Sequence, residues 1–227
     1  MRSTPDRRAT TRQFELLVFD WDGTLMDSAA AIAASLQAAC CDLDLPIPSE
    51  EQARYVIGLG FHDALSHLLP GLDPALYPPV LERYRDHFLK HDANTRLFPG
   101  AAEALTALHD AGFLLAVATG KSRRGLERSL ASTGLKGYFH ATRCADEGHA
   151  KPHPGMLLEL MEELGVASDR TLMIGDTTHD MAMARAAGVA CLGVAYGAHS
   201  KSDLLGYAPL ACVDDFDGLQ YWLARNT

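Results

Sequence analysis

Apolar positions along this chain gather in short unbroken runs. ELLVFD (15–20) is one, ended by turn residues; GFLLAVATG (112–120), RTLMIGD (170–176) and VACLGVA (189–195) repeat it, and ACV (211–213) is a weaker copy. Runs this short and continuous predict strands buried on both faces. Between them, AAEALTALHDAG, SRRGLERSLASTG, PGMLLELMEELG and THDMAMARAAG have helical periodicity. Several stop at glycine, as helices often do, and Pro154 suits a first helical turn. Strands alternating with helices predict an α/β fold with right-handed crossovers and a parallel sheet covered on both faces. One interval breaks the alternation: about ninety residues separate the first strand from the second, far beyond a crossover. Residues 28–92 there read as successive helices broken by PIP and PG, a helical insertion at the first strand's exit. Pro78 and Pro79 should start or distort its last helix, not occupy its middle.

Composition narrows the class. The chain of 227 residues is 48% apolar and 22% charged, ordinary for a soluble globular protein able to bury a real core. A net charge of −9 argues against nucleic acid or an anionic membrane as partner. No apolar stretch approaches the roughly 18–20 residues that span a bilayer. Residues 1–13 form a basic tail, with Arg2, Arg7, Arg8 and Arg12 against Asp6, and read as flexible because they lack a signal peptide's apolar core. Five cysteines without regular spacing imply reduced thiols in a cytoplasm.

Ligands of open α/β sheets bind beyond the carboxyl ends of the strands. At that edge the reading puts Asp20 and Asp22, Thr119 and Gly120, Asp176 and Asp180, with Lys151 in the AKPHPG loop. Clustered carboxylates suit a hard cation, and Mg²⁺ prefers one or two of them plus waters and substrate phosphate. Lys151 balances further charge and can hold a phosphate oxygen. Thr119 and Gly120 fall at a strand-to-helix turn, where free N–H groups and the helix dipole favour an anion. The constellation fits a phosphoryl group beside a metal.

Four segments, DWDGTL (20–25), ATGKS (118–122), KPHP (151–154) and GDTTHD (175–180), follow one another in an order that resembles the haloacid dehalogenase superfamily. The likeness is to its phosphoglycolate-phosphatase-like members with a helical cap, and it covers nearly everything after the tail. It implies a Rossmann-like parallel-sheet core (14–27 and 93–227) with an inserted α-helical cap domain (28–92). By this resemblance Asp20 is the nucleophile and forms an aspartyl-phosphate, while Asp22 protonates the leaving group and then activates water. Asp20, the backbone carbonyl of Asp22 and Asp176 would hold Mg²⁺, and Thr119, Gly120 and Lys151 the phosphoryl group. Asp180 would orient Lys151 or a metal-bound water, Gly23 permit the turn and Thr24 brace the loop. The cap loop around Gly58 and Gly60, flanked by Arg54 and His62, would read the substrate's other end.

The activity expected is hydrolysis of small phosphorylated metabolites by a monomer or homodimer. A phosphomutase would keep every residue named, and a non-catalytic binding protein on this fold is the reading from another class. Plainer roles are expected elsewhere. Lys121 and Arg123 read as solvated helix charges, Ser122 and Thr178 as helix caps. His87 and His91 read as an exposed helix face, His153 and His179 as lying near the site mouth without chemistry.

Overall fold

The computed structural model describes residues 13–92 and 95–227, so the basic tail, apart from Gln13, lies outside the described residues. The first apolar run forms β1 (Leu16–Phe19), and a helical segment follows: α1 (Ala29–Asp42), α2 (Glu50–Tyr55), α3 (Phe61–Leu68) and α4 (Tyr77–Asp92). Alternation then resumes with α5 (Ala101–Asp110), β2 (Leu114–Thr119), α6 (Arg123–Thr133), β3 (Ala141–Cys144) and α7 (Gly155–Leu164). It continues through β4 (Thr171–Gly175), α8 (Thr178–Ala187), β5 (Ala190–Val194), α9 (Lys201–Leu205), β6 (Cys212–Val213) and α10 (Phe216–Asn226). Among the described residues these strands make one sheet in the order β3-β2-β1-β4-β5-β6, with every pairing parallel.

The two-residue period of a strand sorts its side chains between two cores. Leu17 and Phe19 of β1 join α5, α6 and α10 on one face, through residues such as Leu105, Leu126 and Leu219. Leu16 and Val18 join α7, α8 and α9 on the other, through Leu157, Met181 and Leu204. That is the doubly covered parallel sheet the apolar runs predict. β3 was not anticipated. As an edge strand it leaves Thr142 and Arg143 half-buried, so it carries no continuous apolar run.

Helices α1–α4 pack on apolar clusters of their own, Ile32, Leu36 and Phe88 in one, Ala39, Leu65 and Val80 in another. Pro78 and Pro79 lie in the first turn of α4, where their missing N–H groups cost nothing. Helix α2 is shorter than the sequence suggests: it ends at Tyr55 and releases VIGLG as a loop with Gly58 at φ +91°. None of the described helices is long and apolar enough to cross a membrane.

Candidate active site

Parallel order puts the carboxyl ends of β1, β2 and β4 side by side, so the residues after them meet. Asp20 follows β1 and is buried, its backbone N–H donating to the Ile174 carbonyl of β4 at 2.9 Å. Its Oδ1 accepts the Trp21 N–H at 2.6 Å and lies 2.8 Å from Lys151 Nζ. Lys151 is fully buried and also pairs with Asp180 Oδ1 at 2.6 Å. Asp20 Oδ2 is buried without a hydrogen-bond partner. Asp176, after β4, accepts from Thr24 Oγ1 at 2.8 Å through Oδ1 and from the Ala198 N–H at 2.7 Å through Oδ2. One carboxylate oxygen each from Asp20, Asp176 and Asp180 falls within 4.8 Å of the others.

The loops approach so closely that two glycines are obligatory. Gly23 has φ +81°, and a Cβ there, or at Gly197, would run into the Asp176 carboxylate. Thr119 ends β2 in full burial and accepts the Lys121 N–H at 3.2 Å. A Cβ on Gly120 would sit 2.5 Å from the Gly58 carbonyl oxygen and 2.9 Å from that of Leu59, so the helical segment touches the site here. Lys151 opens a short turn whose Lys151–Pro152 peptide is cis.

Burial disfavours each charge, and the neighbours decide how far. Burial pushes the Asp20 carboxyl up to about 7, against the pull of Lys151 and with a push from Asp180. Burial, then the charges of Asp20 and Asp180, hold Asp176 well above the usual carboxylate range. Burial opposes the charge on Lys151, but Asp180 and Asp20 outweigh it and keep the ammonium protonated. Asp22 has separate partners, accepting from Ser28 Oγ at 2.7 Å and Lys121 Nζ at 2.8 Å. Asp20 and Asp180 thus share the Lys151 ammonium, Asp22 has that of Lys121, and Asp20 Oδ2 has no donor.

Several plainer expectations need correction. Lys121 is not solvated: its side chain is 10% exposed and grips both Asp22 oxygens. Arg123 binds Glu147 at 2.6 Å and Thr142 at 2.7 Å. Ser122 does cap α6, but the cap of α8 is Thr177, in a reciprocal capping box with Asp180, so Asp180 holds the helix start and Lys151 together. Within the helical segment, Gly58 lies against Thr177 and His179, and Gly60 against Ala150. Arg54 pairs instead with Glu50 at 2.9 Å, and His62 is exposed against the Tyr77 ring. His87 bonds Asp42 at 2.8 Å across to α1.

His179 and His199 form a clamp that sequence reasoning did not find. Both Nε2–H groups donate to the Tyr55 carbonyl, at 2.8 and 3.0 Å, and His199 Nδ1 accepts the Thr178 N–H at 3.0 Å. The Tyr55 ring stacks on His199 with centroids 5.3 Å apart. Burial lowers both imidazoles, His179 to about 4, so the clamp is neutral. Gly197, just past β5 at the same sheet edge, was the one available signal for this loop.

The family model described as haloacid dehalogenase-like hydrolase matches residues 17–194. A protein named "Probable phosphatase IndB" from Dickeya dadantii (strain 3937) is 37% identical over 207 residues, 88% of this chain and 90% of its own. A phosphoglycolate phosphatase of Colwellia psychrerythraea is 30% identical over 220 residues, 93% of this chain and 97% of its own. The solved structure of a hydrolase from Pseudomonas syringae superposes with a TM-score of 0.86 at 23% identity, over 94% of this chain and 98% of that one, a likeness of fold.

Proposed function

The chain belongs to the haloacid dehalogenase-like hydrolase family, and from that membership we propose that it is a Mg²⁺-dependent phosphatase of small phosphorylated metabolites, phosphoglycolate-like in class, acting through an aspartyl-phosphate on Asp20. The observation that carries this reading is the buried Asp20–Lys151–Asp180 chain beside Asp176, with Asp20 Oδ2 left unpartnered.

Asp20 and Asp176, with the backbone carbonyl of Asp22, would hold one ion, Asp180 being a third carboxylate close by, and the surplus of carboxylates fits a divalent cation with oxygen ligands. Mg²⁺, when bound, supplies charge stabilisation for the transferring phosphoryl group. Asp20, held by the Trp21 N–H and Lys151, attacks phosphorus; the bond to the ester oxygen breaks and the Asp20 acyl phosphate forms. Asp22 gives its proton to the departing alkoxide and takes one from the water that next attacks phosphorus, releasing phosphate and restoring Asp20. Lys151, fixed by Asp180, and the turn at Thr119 and Gly120 bind the phosphoryl oxygens and need little reorganisation. Residues 28–92 act as the cap, and contact between the Gly58 loop and Gly120 excludes bulk water.

A screen of small phosphate esters with Mg²⁺, comparing wild type with Asp20→Asn, tests the reading. Hydrolysis of at least one ester by wild type alone is expected. Equal release by both proteins, or none by either, overturns it.

A further inference from the structure

Lys121 stands two residues beyond Thr119 and one beyond Gly120, and its ammonium lies on Asp22, 2.8 Å from each carboxylate oxygen. It is held there from the far side. The Phe88 ring of α4, itself buried, lies with its centroid 4.9 Å from Nζ, a cation–π contact in a poorly hydrated place. Ser28, just before α1, grips Asp22 Oδ1 at 2.7 Å. Asp22 Oδ1 therefore carries two donors, whereas Oδ2 carries the ammonium alone. A short carboxylate side chain has broad freedom about its terminal torsion. An ammonium on both oxygens plus a hydroxyl on one removes that freedom and holds the carboxylate in one orientation.

We propose that Lys121 is a positioning residue for Asp22, set in turn by Phe88, so that the aim of the proton-transferring carboxylate depends on α4 being docked. The inference rests on the phosphatase reading, in which Asp22 meets the leaving group. It also gives the helical segment a part in the chemistry. Ser28 at its entrance holds Asp22 directly and Phe88 near its exit holds it through Lys121, so displacement of the segment releases Asp22. A surface ion pair would have no such consequence, since exposed pairs are weakly held. This one is 10% exposed at the lysine and 9% at the aspartate, and removal of its cation strands a buried charge.

The test compares Lys121→Gln, Lys121→Arg and Phe88→Leu with wild type on an alkyl phosphate and on p-nitrophenyl phosphate, after circular dichroism has established folding. The alkyl leaving group needs its proton and the nitrophenolate barely does. Lys121→Gln should lower kcat on the alkyl ester by about a hundredfold and on the nitrophenyl ester by less than about tenfold. KM should stay within about threefold, Lys121→Arg should recover most of the loss, and Phe88→Leu should show the same ester dependence more weakly. A raised KM at unchanged kcat would make Lys121 a substrate-binding group and overturn the proposal. So would equal losses on both esters, or no loss. A crystal structure of Lys121→Gln decides independently of turnover: the Asp22 carboxylate should leave Ser28 while the backbone of residues 19–25 stays in place. An unmoved carboxylate overturns the inference even if wild type proves inactive, a result that would count against the phosphatase reading alone.

Discussion

A carboxyl buried as deeply as Asp20 keeps its charge only if neighbours supply what water would have supplied. Lys151 does part of this, but it is shared with Asp180, and Asp20 rises to about 7. Asp20→Asn removes a nucleophile and a crowded charge at almost no change in volume. Turnover should vanish, while the melting temperature in chelator at about pH 8 should be retained or raised, because Lys151 keeps Asp180. A melting temperature several degrees below wild type would mean that Asp20 is chiefly structural. Asp22→Asn should behave differently. With p-nitrophenyl phosphate it should release about one equivalent of product in a burst and then turn over slowly, because hydrolysis of the acyl phosphate needs the base. Unchanged rates with good and poor leaving groups alike, by rapid mixing, would remove Asp22 from proton transfer.

These aspartates were legible because each follows an apolar run that can only be a strand, and strand ends converge in a parallel sheet. Lys121 was not. In sequence it is one more charge at a helix start, and only the approach of Phe88 from a segment thirty-three positions earlier makes its surroundings dry. Arg54 and His62, beside a glycine loop, are engaged on their own segment, the one by Glu50 and the other by the Tyr77 ring.

At the scale of elements, two further contacts join the helical segment to the sheet edge. One is the Gly120–Gly58 crossing, the other the Tyr55 carbonyl clamped by His179 and His199. An added methyl at Gly120 cannot fit without moving the Gly58 loop. Gly120→Ala should therefore lower kcat/KM by at least about tenfold, since small displacements in a positioned site are costly. Gly137→Ala, where a Cβ meets open space, should leave it unchanged. Equal activities in the two variants would show that the crossing does not govern the site. The apolar strands and most helices were legible in the sequence, but β3 was not, because its edge position frees it from needing apolar side chains. The clamp escaped for another reason: in GAHSKS only Gly197 hints at a close approach, and His199 gains its role only from Thr178 and Tyr55, both distant in sequence.

For the whole molecule, the raised carboxyls and lowered imidazoles set opposing pH dependences. Asp20 binds a proton near 7 when folded and near 3.8 when unfolded, so as pH falls from about 8 the native state takes up protons first and gains stability. Asp176 acts in the same sense. His179 titrates near 4 when folded and 6.5 when unfolded, and so opposes them once pH falls below about 6.5. In chelator the melting temperature should thus rise from about pH 8 to 6.5 and level off or decline below. Mg²⁺ should raise it more at about pH 8 than at pH 6, where protons compete for the carboxylates. A melting temperature that falls steadily from pH 8 to 6.5, or a Mg²⁺ increment independent of pH, would contradict this balance.

Passage of the phosphoryl group through Asp20 can be examined directly. Asp22→Asn, mixed with Mg²⁺ and p-nitrophenyl phosphate, is quenched in acid during the slow phase, digested and weighed by mass spectrometry. One added phosphoryl group is expected on the peptide containing Asp20, removed by mild alkali as acyl phosphates are, and none in an Asp20→Asn, Asp22→Asn double variant. Product release without any phosphopeptide, or a phosphoryl group on another residue, would contradict it.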